Sequence, residues 1–600
     1  MPFKTYWLRP GRLTPGALLI FFMLAGFGLA AGLGSPAWAE EPAAETAAVT
    51  TEKDATAAPA EAPPAAEAPA PAEAPPAAEA SAPVPAFTFA DVEKLAWQQA
   101  GKSFKAADSR LIEALRTVTE QQWNAIAFKD EGRLWHEAGL PFEVGFFHPG
   151  FIFNQPVTIS EVDGGLERPV AFNPGLFDLG DPALAEKMAA LNLNFAGFRL
   201  YYPINDGDRK NEVTVFLGGT HFRAVARKSG YGLTARGLIL NPAMSEGEEF
   251  PYFRRFWLVR PEPDAASLTL YALLESPSLT GAYQFVITPG TSTVMEVKAR
   301  LFKRSGAHWP KKIGLGPVGS MYLFSEKENG SSRDWRPEVH NSDSLLMTTD
   351  QGEWFHRPLV NPERLATVSG FELSGLKGFG LMQRDADFDH YQDIDARFEH
   401  RPSLWIEPLG DSAKGRLELI EIPSTKDYND NILAFWLPDR SGPDAASGSQ
   451  TEPADSGTEM ALAYRLYWMA PGATPHQLGR VVSTRRVLDP QAETATFVLD
   501  FESEDLNAIP ADTGLASQIE TGEAYPVLEK SLRKNPVTGG WRLKFKVRLP
   551  QEKSMVQSLI SAGEERVSSR FSARLIKGEN LPEPLTETWV CDQPPQRNGD

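Results

Sequence analysis

Beyond about Pro141 the chain is written in short runs where apolar and polar side chains alternate, each closed by Gly, Pro, Asn or Asp. "NEVTVFLGG" (211–219), "SLTLYALLES" (267–276), "GAYQFVITPG" (281–290), "TVMEVKARLF" (293–302), "GSMYLFSE" (319–326) and "KGRLELIEIP" (414–423) all read this way. A period of two sends successive side chains to opposite faces, so each run predicts a strand with one face in a core. Many such strands with few helices between them predict an all-β protein of antiparallel sheets packed as sandwiches, because a parallel α/β fold would need crossover helices. One helix is predicted, in "FADVEKLAWQQAGKSF" (89–104), where Val92, Leu95, Ala96 and Ala100 fall near helical spacing.

The alternation stops at "SGPDAASGSQTEPADSGTE" (441–459), a Gly, Ser, Ala and acid segment without periodicity, and that reads as a linker. It divides a large N-terminal β-sandwich (87–440) from a C-terminal region (460–595) whose strand-like runs, such as "TATFVLDFES" and "GWRLKFKVRL", suit an immunoglobulin-like sandwich. Before the strands begin, residues 40–86 are almost entirely Ala, Pro and Glu, with nothing large enough to build a core, so they read as a semi-stiff tether. Residues 1–39 carry Lys4, Arg9 and Arg12 ahead of an apolar stretch and end on Ala37-Trp38-Ala39, the pattern of a secretory signal peptide. That places the mature chain in the periplasm.

Composition narrows the function classes. The formal net charge is −19, which repels phosphate backbones and argues against nucleic acid as a partner. Cys591 is the only cysteine, so no internal disulfide forms and stability rests on the cores. There is no Gly-rich phosphate loop, no Cys-x-x-Cys pair, no His-Glu-x-x-His helix and no Gly-x-Ser-x-Gly elbow; no metal and no cofactor is expected. The acids of "QRDADFDHYQDIDARFEH" (383–400) lack EF-hand spacing and its central Gly, so they read as a loop rim.

What the chain has in quantity is aromatic residues interleaved with acids and amides between Pro141 and Trp436, as in "DWRPEVHNSD" (334–343), "EWFHRP" (353–358) and "RPSLWIEP" (401–408). Sugars present apolar C–H faces and hydroxyl rims, so this mixture fits a carbohydrate groove as well as a sandwich core. Trp335, Arg336, Trp354, Arg384, Tyr391 and Trp405 are the candidate groove residues; Trp405, in an apolar strand, reads equally well as core.

The runs "FAGFRLYYPIN" (195–205), "GYGLTARGLIL" (230–240), "GEEFPYFRRFW" (247–257), "YALLESPSLTGAYQF" (271–285), "GFGLMQRDADFDHYQD" (378–393) and "NDNILAFW" (429–436) resemble the periplasmic glucan biosynthesis proteins of the OpgG/OpgD (MdoG) family, over about Phe87 to Trp589. The resemblance implies a galactose-mutarotase-like N-terminal sandwich, an immunoglobulin-like C-terminal domain and a role in making osmoregulated periplasmic glucans with a β-1,2-linked glucose backbone. Similar proteins include inverting endo-β-1,2-glucanases, in which the acid of the "NDN" motif is the general acid; here that acid is Asp430.

An inverting glycosidase also needs a base set farther away, with room for a water. The resemblance places that base directly after the His of an "RPE-(V/L)-H-D-S" motif, which here reads "RPEVHNSD", so Asn341 follows His340 where an acid is expected. An amide takes no proton from water at neutral pH. Asp343, two positions on, is the nearest replacement, displaced by ~7 Å along an extended chain. A second departure is Ser412-Ala413, where relatives commonly carry Trp-Gly. Two functions therefore stand side by side: an inverting β-1,2-glucanase, or a non-hydrolytic glucan-binding protein assisting synthesis or release alongside the inner-membrane glucan synthesis machinery.

Overall fold

Alternating burial is what the strands share. In Thr293–Lys303, Met295, Val297, Ala299 and Leu301 are buried while the residues between them face outward. The computed structural model describes residues 86–205, 207, 209–325, 334–373, 375–410, 415–439, 459–549, 570–578 and 583–591. The expected signal peptide, nearly all of the tether and linker, and Ser412-Ala413 lie outside the described residues.

Among the described residues the strands form one sheet of ten strands and one of fifteen, with a four-stranded sheet near the C-terminus. The smaller of the two large sheets runs from Glu143–Phe147 through Gly197–Tyr202, Asn211–Leu217, His221–Ala224, Thr234–Arg236, Ile313–Ser320, Ile432–Pro438 and Gly415–Glu421 to Thr367–Leu373. It packs face to face on the larger sheet as a β-sandwich. Phe198, Phe216 and Phe222 meet Phe256 and Phe285 in the shared core, with Phe216 edge-on to Phe285 at 5.2 Å. A buried ion pair crosses the same interface: Arg357 of Trp354–Pro358 grips Glu421 of Gly415–Glu421 through two 2.6 Å hydrogen bonds.

The predicted helix forms over Phe89–Ala100 and stops at Gly101, short of the expected Phe104. Val92, Ala96 and Ala100 seat it on Trp257, Ala282 and Phe302, on the outer face of the larger sheet. The run expected as one strand over 319–326 is divided. Ile313–Ser320 stays in the ten-stranded sheet, whereas Tyr322–Phe324 pairs with Val339–His340. The chain changes partner at Met321, and that change bears on the site.

The strand Glu459–Met469, expected to open the C-terminal domain, lies instead inside the larger sheet, between Thr293–Lys303 and Ser403–Leu409. Its alternation aims Tyr464, Leu466 and Trp468 into the inter-sheet core. The composition break before it thus marks a connection within the sandwich. A C-terminal sandwich does form: the four-stranded sheet carries Phe497, Leu499 and Phe545 onto Phe571, Leu575 and Trp589. Those last strands are the continuing end of the larger sheet, joined where Thr588–Cys591 runs parallel to Trp354–Pro358.

Candidate functional site

The strand Ile432–Pro438 is buried from Ile432 to Trp436, which fixes its register between Ile313–Ser320 and Gly415–Glu421. Asp430 stands just ahead of it. On the neighbouring strands Phe222, Ala224 and Ala235 face the core, so His221, Arg223, Thr234 and Arg236 line the opposite, outer face. Asp430 reaches across to that face: Thr234 Oγ1 donates to its Oδ2 at 3.1 Å, and Arg223 Nη2 lies 3.7 Å from the same oxygen. Arg223 Nε also donates to Thr234 Oγ1 at 2.7 Å, holding the acceptor in place.

The Asp430 side chain is only 14% exposed, and burial raises its pKa against the lowering pull of Arg223, Thr234 and Arg236. A carboxyl kept protonated above its ordinary range is what a general acid requires. The two flanking amides are not equivalent. Asn431 is a structural clasp: its Nδ2 donates to the carbonyls of Tyr322 and Ile422 at 2.9 Å each, and its Oδ1 accepts from Tyr322 N–H at 2.8 Å. Asn429 is buried beside Asp430 and adds no charge.

Segment 320–322 runs between Asp430 and Asn341. Ser320 pairs with Ile432 and Tyr322 is clasped by Asn431 on one side, while Asn341 N–H donates to Met321 O at 2.8 Å on the other. Asp430 and Asn341 therefore stand on opposite sides of segment 320–322. Asn341 Oδ1 is buried and has no hydrogen-bond partner among the described residues.

Its neighbours are committed elsewhere. His340 is fully buried, with Nε2 2.6 Å from Glu338 Oε2 and Nδ1 2.8 Å from Gln383 Oε1. Gln383 spends its amide N–H groups on His340 O, Phe398 O and Tyr391 OH, so its oxygen faces the ring as an acceptor and Nδ1 carries a proton. Burial opposes a charge on His340, but Glu338, Asp343 and Gln383 together outweigh it and raise the pKa. Asp343 accepts Arg384 N–H at 2.7 Å and acts electrostatically on His340 and Tyr391.

Of the expected groove residues, few come to Asp430. Arg336 binds Asp334, Asp393 and Asp427 at 2.8–3.0 Å, tying together three loops, the last of which leads into Asp430. Trp335 beside it is 70% exposed. Tyr391 is buried and donates to Asp385 O, and Arg384 is held by Glu587 at 2.8 Å. Trp354 and Trp405 stack on one another at 5.4 Å with Leu346 and Met382, on the face of the larger sheet turned away from the shared core. Sheet parity, which the sequence cannot assign before pairing is known, places them on the outer face of the larger sheet, whereas Asp430 lies on that of the ten-stranded sheet.

Among the described residues, Glu338, Asp385 and His390 bring possible metal-ligand atoms within 4.8 Å of one another. His390 is bonded to Asp385 at 2.5 Å and Glu338 to His340, so internal pairing accounts for the group. The residues that do surround Asp430, namely Arg223, Thr234 and Arg236, are not singled out by the sequence reading. The strict alternation of "HFRA" and "TAR" is the signal that could have placed them on one polar face.

The comparisons with known proteins agree with this chain's motifs. The family model described as "Periplasmic glucan biosynthesis protein, MdoG" matches residues 87–590. Glucans biosynthesis protein G of Ralstonia nicotianae is 41% identical over 473 residues, covering 77% of this chain and 90% of that protein. The protein of the same name from Pseudomonas paraeruginosa is 37% identical over 521 residues, covering 85% and 93%. No helix among the described residues is long and apolar enough to cross a membrane. With a match running from the first helix to the last strand, the chain belongs to the periplasmic glucan biosynthesis protein family, MdoG.

Proposed function

We propose that this protein binds β-1,2-linked glucan on the outer face of the ten-stranded sheet and holds the polymer rather than cleaving it, assisting synthesis or release at the periplasmic side of the inner membrane. One observation carries the reading. Across the strand from the acid Asp430 stands the amide of Asn341, with its oxygen unpartnered, while Asp343 is engaged by Arg384 N–H. An amide oxygen accepts a sugar hydroxyl or a water but takes no proton from it. The groove keeps its hydrogen-bonding capacity and lacks the group that would activate water.

A second reading is an inverting endo-β-1,2-glucanase. It is favoured by the burial that raises the pKa of Asp430 against the lowering pull of Arg223, Thr234 and Arg236. Asp430 would then protonate the leaving glycosidic oxygen.

The test is binding and reducing-end release with purified β-1,2-glucan. The mature protein is expected to bind and to release no reducing ends, and Asn341→Asp to switch cleavage on. Asp430→Asn in that background is expected to remove it by a factor of about 100 or more. Cleavage by the unmodified protein, abolished by Asp430→Asn, would establish the hydrolase instead.

A further inference from the structure

The polar face that carries Asp430 does not end there. One pair farther along the same two strands, His221 stands opposite Arg236, as Arg223 stands opposite Thr234. Thr234 and Arg236 are two residues apart on one face, which is ~7 Å along the strand. Arg236 acts on Asp430 electrostatically and also binds Glu248, Nη1 to Oε1, at 3.2 Å.

Glu248 is the first acid of the "GEEFP" run, and the two acids have different fates. Glu249 is consumed by structure: its Oε1 accepts the N–H and hydroxyl of Ser278, and its own N–H bonds Leu240 O. Glu248 follows Gly247, whose φ of +94° turns the chain so that the side chain points back over the sheet. It is 8% exposed, and its Oε2 has no hydrogen-bond partner among the described residues. A buried carboxylate oxygen without a donor loses its hydration uncompensated, so a structural role served by Arg236 alone leaves half the group unexplained. Burial raises its pKa to about 7 even with Arg236 beside it.

The unpartnered oxygen belongs to a residue that lines a cavity. Thr220, His221, Arg236, Glu248 and Tyr252 surround a space of about 20 Å³, enough for one water or one inserted hydroxyl. His221 Nδ1 lies 2.9 Å from Gly218 O, and burial lowers its pKa to about 3, so the ring is neutral with Nδ1–H donating.

We propose that Glu248, with Arg236 and His221, forms a second sugar subsite one step along the sheet from Asp430, where Glu248 Oε2 accepts a glucosyl hydroxyl directly or through the single water the cavity admits. This rests on the glucan-binding reading above and adds a direction to it: the polymer lies along strands His221–Ala224 and Thr234–Arg236, passing Asp430 and then Glu248. A ligand short enough to end at Asp430 does not touch Glu248.

That difference in length is the test. Affinities are measured by calorimetry for sophorose and for a series of longer β-1,2-gluco-oligosaccharides, with the parent, Glu248→Gln and Glu248→Ala. Both variants are expected to bind the longer oligosaccharides about tenfold more weakly, the lower end of the value of a single hydrogen bond to a charged group, while sophorose binding stays within twofold. Equal loss at every length would mean that Glu248 supports the fold only, and unchanged affinity at every length would mean that it lies off the ligand path; either overturns the subsite. If Glu248→Ala unfolds, the isosteric Glu248→Gln carries the comparison. Failure of the parent to bind any β-1,2-glucan overturns the glucan reading itself, an outcome distinct from the other two.

Discussion

Two ionisable residues of the candidate site are handled oppositely by their surroundings. Burial raises the pKa of Asp430 because Arg223 and Thr234 compensate only in part. His340, just as enclosed, has its pKa raised in spite of burial because Glu338 and Gln383 present acceptors to both ring nitrogens. The sign of the consequence follows. A histidine whose pKa is raised on folding adds stability that is complete below its unfolded value of about 6.5 and is lost as pH rises through the folded value. Glu338→Gln removes the counter-charge, so the parent is expected to exceed the variant by about 3 kcal/mol below pH 6 in denaturant titrations, with the gap narrowing at alkaline pH. A gap that widened with pH would mean that His340 is neutral in the fold. Asp430 is legible in the sequence through its motif, and so is the amide at 341. The roles of His340, Arg384 and Tyr391 are not, because a polar side chain in a motif looks alike whether it touches a ligand or closes an internal network.

At the scale of elements, strand positions are legible wherever alternation and turn residues coincide, as in Leu268–Glu275 and Leu279–Thr288. Partners are not: nothing local in "GSMYLFSE" says that the chain leaves one sheet at Ser320 and joins Val339–His340 from Tyr322. Nor does spacing reveal that Arg357 and Glu421, 64 residues apart, meet between the sheets. That pair is 1% and 0% exposed, and Glu421 also accepts from Val360 N–H and Thr367 Oγ1. Removing one partner strands a buried charge, so Glu421→Leu or Arg357→Met alone is expected to lower stability by about 3–5 kcal/mol. Arg357→Met with Glu421→Leu replaces both charges by apolar groups and is expected to recover most of that loss, measured as a double-mutant cycle in denaturant midpoints. Equal destabilisation by the single and double variants would mean that shape, rather than charge, sets the cost.

Across the whole molecule the larger sheet decides what can fold alone. Composition places a boundary at 441–459, yet Glu459–Met469 is an interior strand, hydrogen-bonded on both sides and carrying Tyr464, Leu466 and Trp468 into the main core. A second tie lies at the far end. Buried Glu587 accepts from Arg384 Nη1 and Val481 N–H at 2.8 Å and lies 3.1 Å from His476 Nε2. Burial opposes its charge, but Arg384 and the neighbouring histidines more than offset this and hold the carboxyl well below its ordinary range. Chain 87–440 expressed alone would lose three large core side chains, at about 2–5 kcal/mol each, against a total stability of ~5–15 kcal/mol for a domain. It would also leave the edges of Thr293–Lys303 and Ser403–Leu409 open to pairing with other chains. The fragment is expected to aggregate and to show no cooperative thermal transition, whereas chain 87–595 unfolds cooperatively in calorimetry. A soluble 87–440 fragment with its own sharp transition would restore the boundary that composition implies, and would mean that the strand after it is an addition to a complete sandwich.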